Sequence, residues 1–119
     1  MLRRVVFIWL VGLLLGGNAA AQDVRYFGVW SFITNSIAEE ISASDRSGRR
    51  LGYWAIRFDG EGEVLGGTYH GSDGTPWLTI RYARVEGRIY ADLFDPAGVQ
   101  QRRKSTNLSS LRPSRPDRH

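Results

Sequence analysis

Cysteine is absent from the 119 residues. That excludes a disulfide framework, a thiolate zinc site, a cysteine nucleophile and a lipid-modified cysteine anchor. Histidine is nearly absent too: there are two, His70 and the terminal His119. A zinc centre takes three or four protein ligands, and one internal histidine without cysteine does not supply them. Long apolar runs are also missing. The longest, Val5 to Leu15, has 11 residues, whereas a membrane-spanning helix takes about 20 to cross roughly 30 Å of hydrocarbon.

That short run has a recognisable setting. Arg3 and Arg4 precede it, Gly16 and Gly17 break it, and Ala19-Ala20-Ala21 supplies a small-x-small cleavage pattern. These are the parts of a secretory signal peptide over residues 1–21. The expectation is cleavage after Ala21 by the general secretory route, with a periplasmic or secreted mature chain and no transmembrane segment in it. Between residue 22 and the C-terminus the net charge is +2, but unevenly spread. Residues 102–119 carry +5, from Arg102, Arg103, Lys104, Arg112, Arg115 and Arg118 against Asp117, so residues 22–101 sum to −3. A mildly acidic body precedes a basic tail.

From Val24 to about Ser105, short β-rich runs alternate with turn signals at close intervals. This pattern predicts an all-β domain over residues 22–105: a small antiparallel up-and-down meander of about seven strands, as a curled sheet or small barrel. The first run, Val24 to Ile33, is aromatic and β-branched on both faces, as a strand buried on both sides would be. Residues 36–44 read two ways. Ser36 and Glu39 fit a helix capping box, while Glu39 to Ser44 fits a strand that ends at the turn Asp45-Arg46-Ser47-Gly48; the strand is favoured, after a turn or short helix. Beyond Thr106 the Ser/Arg/Pro composition predicts a disordered basic tail, residues 106–119.

Two hairpins make register predictions. A two-residue turn at Glu86-Gly87 sets Val85 against Arg88, Ile80 against Leu93, Tyr82 against Ala91 and Arg81 against Asp92. A four-residue turn after Phe58 sets Ile56 against Leu65, Trp54 against Gly67 and Tyr69 against Gly52. In the second hairpin large rings lie over strand glycines, which either protects exposed backbone or marks a place where something approaches closely.

Catalytic residues are not expected. His70, Ser72 and Asp73 form the only His/Ser/Asp cluster, but a catalytic triad is a spatial arrangement that sequence neighbours do not build by themselves. Asp59, Glu61 and Glu63 alternate across glycines and lack the later bidentate ligand of a calcium loop, so they read as a polar turn. No metal and no cofactor is implied. Asn107-Leu108-Ser109 matches a glycosylation sequon, a motif too short and common to assign.

The aromatic content is more informative. Twelve rings fall within residues 22–105. They either fill a small barrel interior or an aromatic-rich core, or, being more than a small sheet can bury, include some that line a pocket, plug a barrel end or form an exposed patch. Gly28-Val29-Trp30, in the first predicted strand, resembles the Gly-x-Trp signature of lipocalins and related calycin barrels. The match covers three residues, with no second motif of the family. It implies an up-and-down barrel holding a small apolar ligand in its mouth.

The function expected from the sequence is non-catalytic binding by an exported protein. A small apolar molecule or envelope component would meet an aromatic-lined face or barrel mouth, with Trp30, Trp54, Tyr69 and Tyr82 as contacts. The alternative is a protein-interaction or inhibitor-like module using a sheet edge. In that reading the basic tail binds anionic lipid or polysaccharide through Arg102, Arg103, Lys104, Arg112, Arg115 and Arg118. Nucleic acid is not an expected partner, given the −3 body and the expected export.

Overall fold

The structure is a computed structural model and describes residues 23–114. The expected signal peptide, Arg115 and Arg118 lie outside the described residues. Seven strands form one antiparallel sheet: β1 (Asp23–Ser31), β2 (Ser36–Ile41), β3 (Tyr53–Phe58), β4 (Val64–His70), β5 (Pro76–Val85), β6 (Arg88–Phe94) and β7 (Gln100–Ser105). The spatial order is β2-β1-β3-β4-β5-β6-β7. The meander therefore has one departure, where the chain after β2 passes the end of β1 to place β3 on its far side.

Composition explains which of the first two strands lies inside. β1 reads DVRYFGVWS, with β-branched and aromatic residues that suit a central strand. β2 reads SIAEEI and is an edge, where charge discourages pairing with another chain. Its carboxylates are held by neighbours: Glu40 accepts from Arg25 at 2.6 Å, and Glu39 lies 3.5 Å from Arg49. The ambiguous segment is thus a strand, but over Ser36–Ile41 and not Glu39–Ser44: it begins where a turn or short helix is expected, and a 3-10 turn, Ala43–Asp45, replaces its expected end.

One face of the sheet carries the core: Phe27, Ile56, Val64, Ile80 and Ala91 have no exposed surface, and Trp30 and Phe58 keep 5% each. Burying each large apolar side chain contributes about 2 kcal/mol. Phe27 and Trp30, three residues apart, both reach this face, which an unbroken pleat does not permit. The irregularity lies at Gly28, beside Glu39 with its φ of 59°. A Cβ on Gly28 would stand 2.4 Å from the Glu39 carboxylate. Val24 and Val29 point outward at 45% exposure, so β1 is covered on one side and not on both.

The Glu86-Gly87 hairpin has the predicted register throughout, including Arg81 opposite Asp92. In the β3–β4 hairpin the register differs by two residues: Ile56 faces Gly67 and Trp54 faces Tyr69. The loop is longer than four residues, because the Asp59 carboxylate accepts from the amides of Glu61 and Glu63, both at 2.9 Å, and a bulge follows at Arg57/Phe58. A slip of two preserves which face each side chain occupies. Rings do cover glycines: Tyr69 reaches Gly52, its hydroxyl 3.0 Å from where a Cβ would stand, while Gly67 is covered by Trp30, with 2.9 Å between an added Cβ and the indole.

β2 and β7 do not pair, and the sheet does not close into a barrel, so the barrel implied by the lipocalin resemblance is corrected to an open, curled sheet. The curl brings β5 to the β1–β2 turn, where the Tyr82 hydroxyl donates to the Phe32 carbonyl. The C-terminal segment crosses the open side. Thr106 bonds the Ile89 carbonyl through its amide and hydroxyl, at 3.3 and 2.7 Å. The Leu111 carbonyl accepts from the Val64 amide, the Ser114 amide donates to Asn35, and the Ile37 amide donates to Ser114, each at 2.9 Å. Leu111 is 8% exposed. The expectation of disorder from residue 106 is therefore corrected for residues 106–114. One buried leucine and a set of backbone bonds fix a segment whose composition is mostly polar.

Candidate functional site

The four aromatic residues singled out from the sequence lie together on the inner face. Trp30 meets Trp54 edge-on at a centroid distance of 5.0 Å and Tyr82 at 5.9 Å. Trp54 meets Tyr69 at 5.2 Å, and Tyr69 meets Trp77 at 6.0 Å. Edge-to-face and tilted pairs at such distances are favourable beyond their buried area. The result is a ladder that runs from Tyr82 and Trp30 in the core to Trp77 at the surface, with Phe32 packed beside Trp30 at 6.0 Å.

The two ends of the ladder differ in chemistry. At the inner end, Asn35 is 1% exposed, and its Oδ1 accepts from Trp30 Nε1 at 3.1 Å and from the Tyr82 hydroxyl at 3.3 Å. Its Nδ2 donates to the Leu111 carbonyl at 2.9 Å. Burial pushes the Tyr82 phenol above its usual range, which favours the protonated, donating form. Trp30 and Tyr82 thus belong to the core, where bonds to protein groups satisfy them. The outer end is open: Trp54 and Tyr69 are half-buried, Trp77 is 62% exposed and Leu51 84%. The Tyr69 hydroxyl donates to the Leu51 carbonyl, which fixes the ring against this lip.

Trp77 was not among the predicted contacts. Strand alternation in β5 assigns Leu78, Ile80 and Tyr82 inward and gives Trp77 the other face. A bulge at Tyr69/His70 shifts the pairing so that His70 faces Pro76, and Trp77 turns against Gly71 and Tyr69. No sequence signal marks that bulge.

The basic residues do not form one patch. Arg103 is bidentate to Asp92, at 2.6 and 2.9 Å, and its guanidinium lies over the Tyr90 ring on the outer face. Arg102 and Lys104 pair in register with Leu93 and Ala91, which places them at the inner-face side of the β7 edge. Arg112 is exposed on the crossing segment.

The Arg103 hydrogen bonds hold the nearly buried Asp92 carboxyl below its ordinary value of 3.8, against the opposing effect of burial. A carboxyl depressed in the folded state stabilises the fold above its unfolded pKa, and that contribution disappears as pH falls through its folded value. Asp92→Asn is therefore expected to flatten the acid limb of stability against pH below about pH 4. Urea melts across that range test this, and an unchanged acid limb would contradict it.

His70 and Asp73 are committed to loop structure. The imidazole stacks on Tyr53 at 4.9 Å and 9°, with Nδ1 3.0 Å from the Gly74 carbonyl. Asp73 accepts from the Thr75 amide at 2.9 Å, and the Thr75 donors hold its carboxyl below the usual range. A shallow cleft of about 360 Å³ lies beside this stack, lined by Ala43, Arg46, Ser47, Tyr53, Ser72 and Asp73 among others. Among the described residues no three His, Asp or Glu side chains converge as metal ligands. Asp59 is occupied by its own turn.

In comparisons with protein-family models, curated proteins and solved structures, nothing matches this chain.

Proposed function

We propose that this is an exported, non-catalytic binding protein that takes up a small apolar, ring-bearing molecule at the open end of the aromatic ladder. One observation carries the reading. Trp54, Tyr69 and Trp77 are in continuous ring contact, anchored through Trp30 in the core, and the last ring stands 62% exposed. An apolar ligand laid on this lip removes aromatic surface from water against side chains already fixed by packing, so little ordering opposes binding. Of the four contacts expected from the sequence, Trp54 and Tyr69 would touch it, with Trp30 and Tyr82 holding the ladder from behind.

A neutral fluorescent naphthylamine such as N-phenyl-1-naphthylamine probes the lip without involving charge. Saturable binding is expected, with quenching of tryptophan emission. Trp77→Ala is expected to weaken it about tenfold, the scale of losing roughly 50 Å² of apolar contact, with the melting temperature nearly unchanged because the ring is mostly exposed. Equal affinity in the variant, or no saturable binding, would remove this reading.

A second reading rests on β7, which among the described residues has a partner on one side only and carries Arg102 and Lys104 at that edge. In it the edge engages an anionic envelope surface. Replacing Arg102 and Lys104 together by Glu is expected to abolish salt-sensitive sedimentation with anionic vesicles; undiminished sedimentation would exclude the edge.

A further inference from the structure

The outer face of the sheet holds an arrangement that the ladder does not use. Arg57 on β3, Gly66 on β4 and Arg81 on β5 are register neighbours in one row across three strands. Adjacent strands lie about 4.8 Å apart, so the two arginines flank a strip roughly 10 Å wide whose middle position has no side chain. Glycine is required there, since a Cβ on Gly66 would come within 2.2 Å of the Ile80 carbonyl. The Arg57 guanidinium uses the space, with Nη2 only 3.0 Å from that Cβ position.

The next row across the same strands is Thr68 and Thr79, whose hydroxyls are 3.1 Å apart. Beyond them, the Arg81 guanidinium lies over the Phe94 ring at 5.2 Å. Arg57 and Arg81 thus stem from either side of Gly66, with the paired Thr68 and Thr79 hydroxyls in the next row.

Neither arginine has a carboxylate at ion-pair distance among the described residues, where the ion pairs engage Arg25, Arg49, Arg84 and Arg103. The acid that faces Arg81 in register, Asp92, has both oxygens bonded to Arg103. Arg57 is half-buried, and the nearby charge of Arg81 adds to burial in disfavouring its protonated form. Two like charges on one face, one of them half-buried, oppose folding unless an anion offsets them. Two guanidinium-bearing side chains on flanking strands, with hydroxyls in the next row, suit a tetrahedral oxyanion, whereas a single fork satisfies a carboxylate.

We infer that Arg57, Arg81, Thr68 and Thr79 form a phosphate-binding site over Gly66 on the outer face of the sheet. The phosphate group belongs either to a free small molecule or to a phospholipid headgroup.

The test is a titration of the ¹⁵N-labelled protein with inorganic phosphate at pH 7, against sodium chloride at matched ionic strength. Saturable amide shifts are expected at Gly66, Thr68, Thr79 and Arg81, and not with chloride. Arg57→Gln and Arg81→Gln are each expected to weaken binding about tenfold or more, the scale of a charged hydrogen bond. Arg88→Gln, at the β5–β6 turn, is expected to leave it unchanged. Arg57→Gln is also expected to melt no lower than the parent without phosphate, because it removes a like-charge contact. If phosphatidylglycerol vesicles bind through this site, inorganic phosphate competes and both glutamine variants lose the binding. If they do not bind, the ligand is a free phosphate. Unsaturable shifts, shifts equal to those with chloride, or undiminished affinity in Arg57→Gln would overturn the inference.

Discussion

Replacing Asn35 by alanine is expected to lower the stability of the fold by about 3–4 kcal/mol. Asn35 is 1% exposed and sits where three parts of the chain meet: the β1–β2 turn, the aromatic ladder and the crossing C-terminal segment. Its carboxamide accepts from Trp30 Nε1 and Tyr82 and donates to the Leu111 carbonyl. Alanine leaves the buried indole N–H without its acceptor, and each buried polar group stranded in this way costs about 1–3 kcal/mol. It also leaves a void that the surrounding rings fill only in part. The backbone adds to the loss: Asn35 has φ of 52°, a left-handed conformation that asparagine tolerates better than alanine, by about 1 kcal/mol.

Asn35→Gly separates these contributions. Glycine adopts the left-handed conformation freely but supplies no carboxamide, so most of the loss is expected to remain, about 2–3 kcal/mol. For a domain of this size each kcal/mol corresponds to roughly 4–8 °C, and the alanine variant is expected to melt about 15 °C or more below the parent. A glycine variant as stable as the parent would show that the turn conformation, and not the hydrogen bonds, makes Asn35 necessary.

Much of the architecture was legible because local chemistry decides it. Glu86 and Gly87 have φ of 53° and 79°, the paired left-handed conformations of a two-residue hairpin turn. Such a turn fixes the register of everything it joins, from Val85–Arg88 to Thr79–Phe94. The β3–β4 register was not legible, because the Asp59 side chain organises a longer loop and its reach does not show in residue type. For the ladder, aromatic richness pointed to the right rings but not to their roles. Whether a ring is held from behind or faces solvent depends on Asn35, 5 residues from Trp30 and 47 from Tyr82. The paired arginines were hidden for a related reason. Arg57 and Arg81 are far apart in sequence and become neighbours only through the two-residue register correction and the β4–β5 pairing.

The crossing segment shows most clearly what composition leaves out, and it carries the second large effect. A polar stretch with scattered prolines and arginines has too little apolar area to form a core of its own, yet this stretch is held by an existing one. Truncation after Ser105 is expected to destabilise the protein by about 4 kcal/mol, adding the roughly 2 kcal/mol of leucine burial to the buried groups left unpaired. Those groups are the amides of Val64 and Ile37 and the Asn35 carboxamide. Ile37, 1% exposed, would also lose the cover that Ser114 gives the β2 edge. Free edges with apolar neighbours invite association. Melting temperature and sedimentation velocity are the two readouts, and a monomer as stable as the full chain would contradict the role given to Leu111 and Ser114. The two large effects are not independent, because the Asn35–Leu111 bond belongs to both. Truncation in the Asn35→Gly background is therefore expected to cost at least about 0.5 kcal/mol less than in the parent. Strict additivity would mean that the segment is held by Leu111 packing and the strand-like bonds alone.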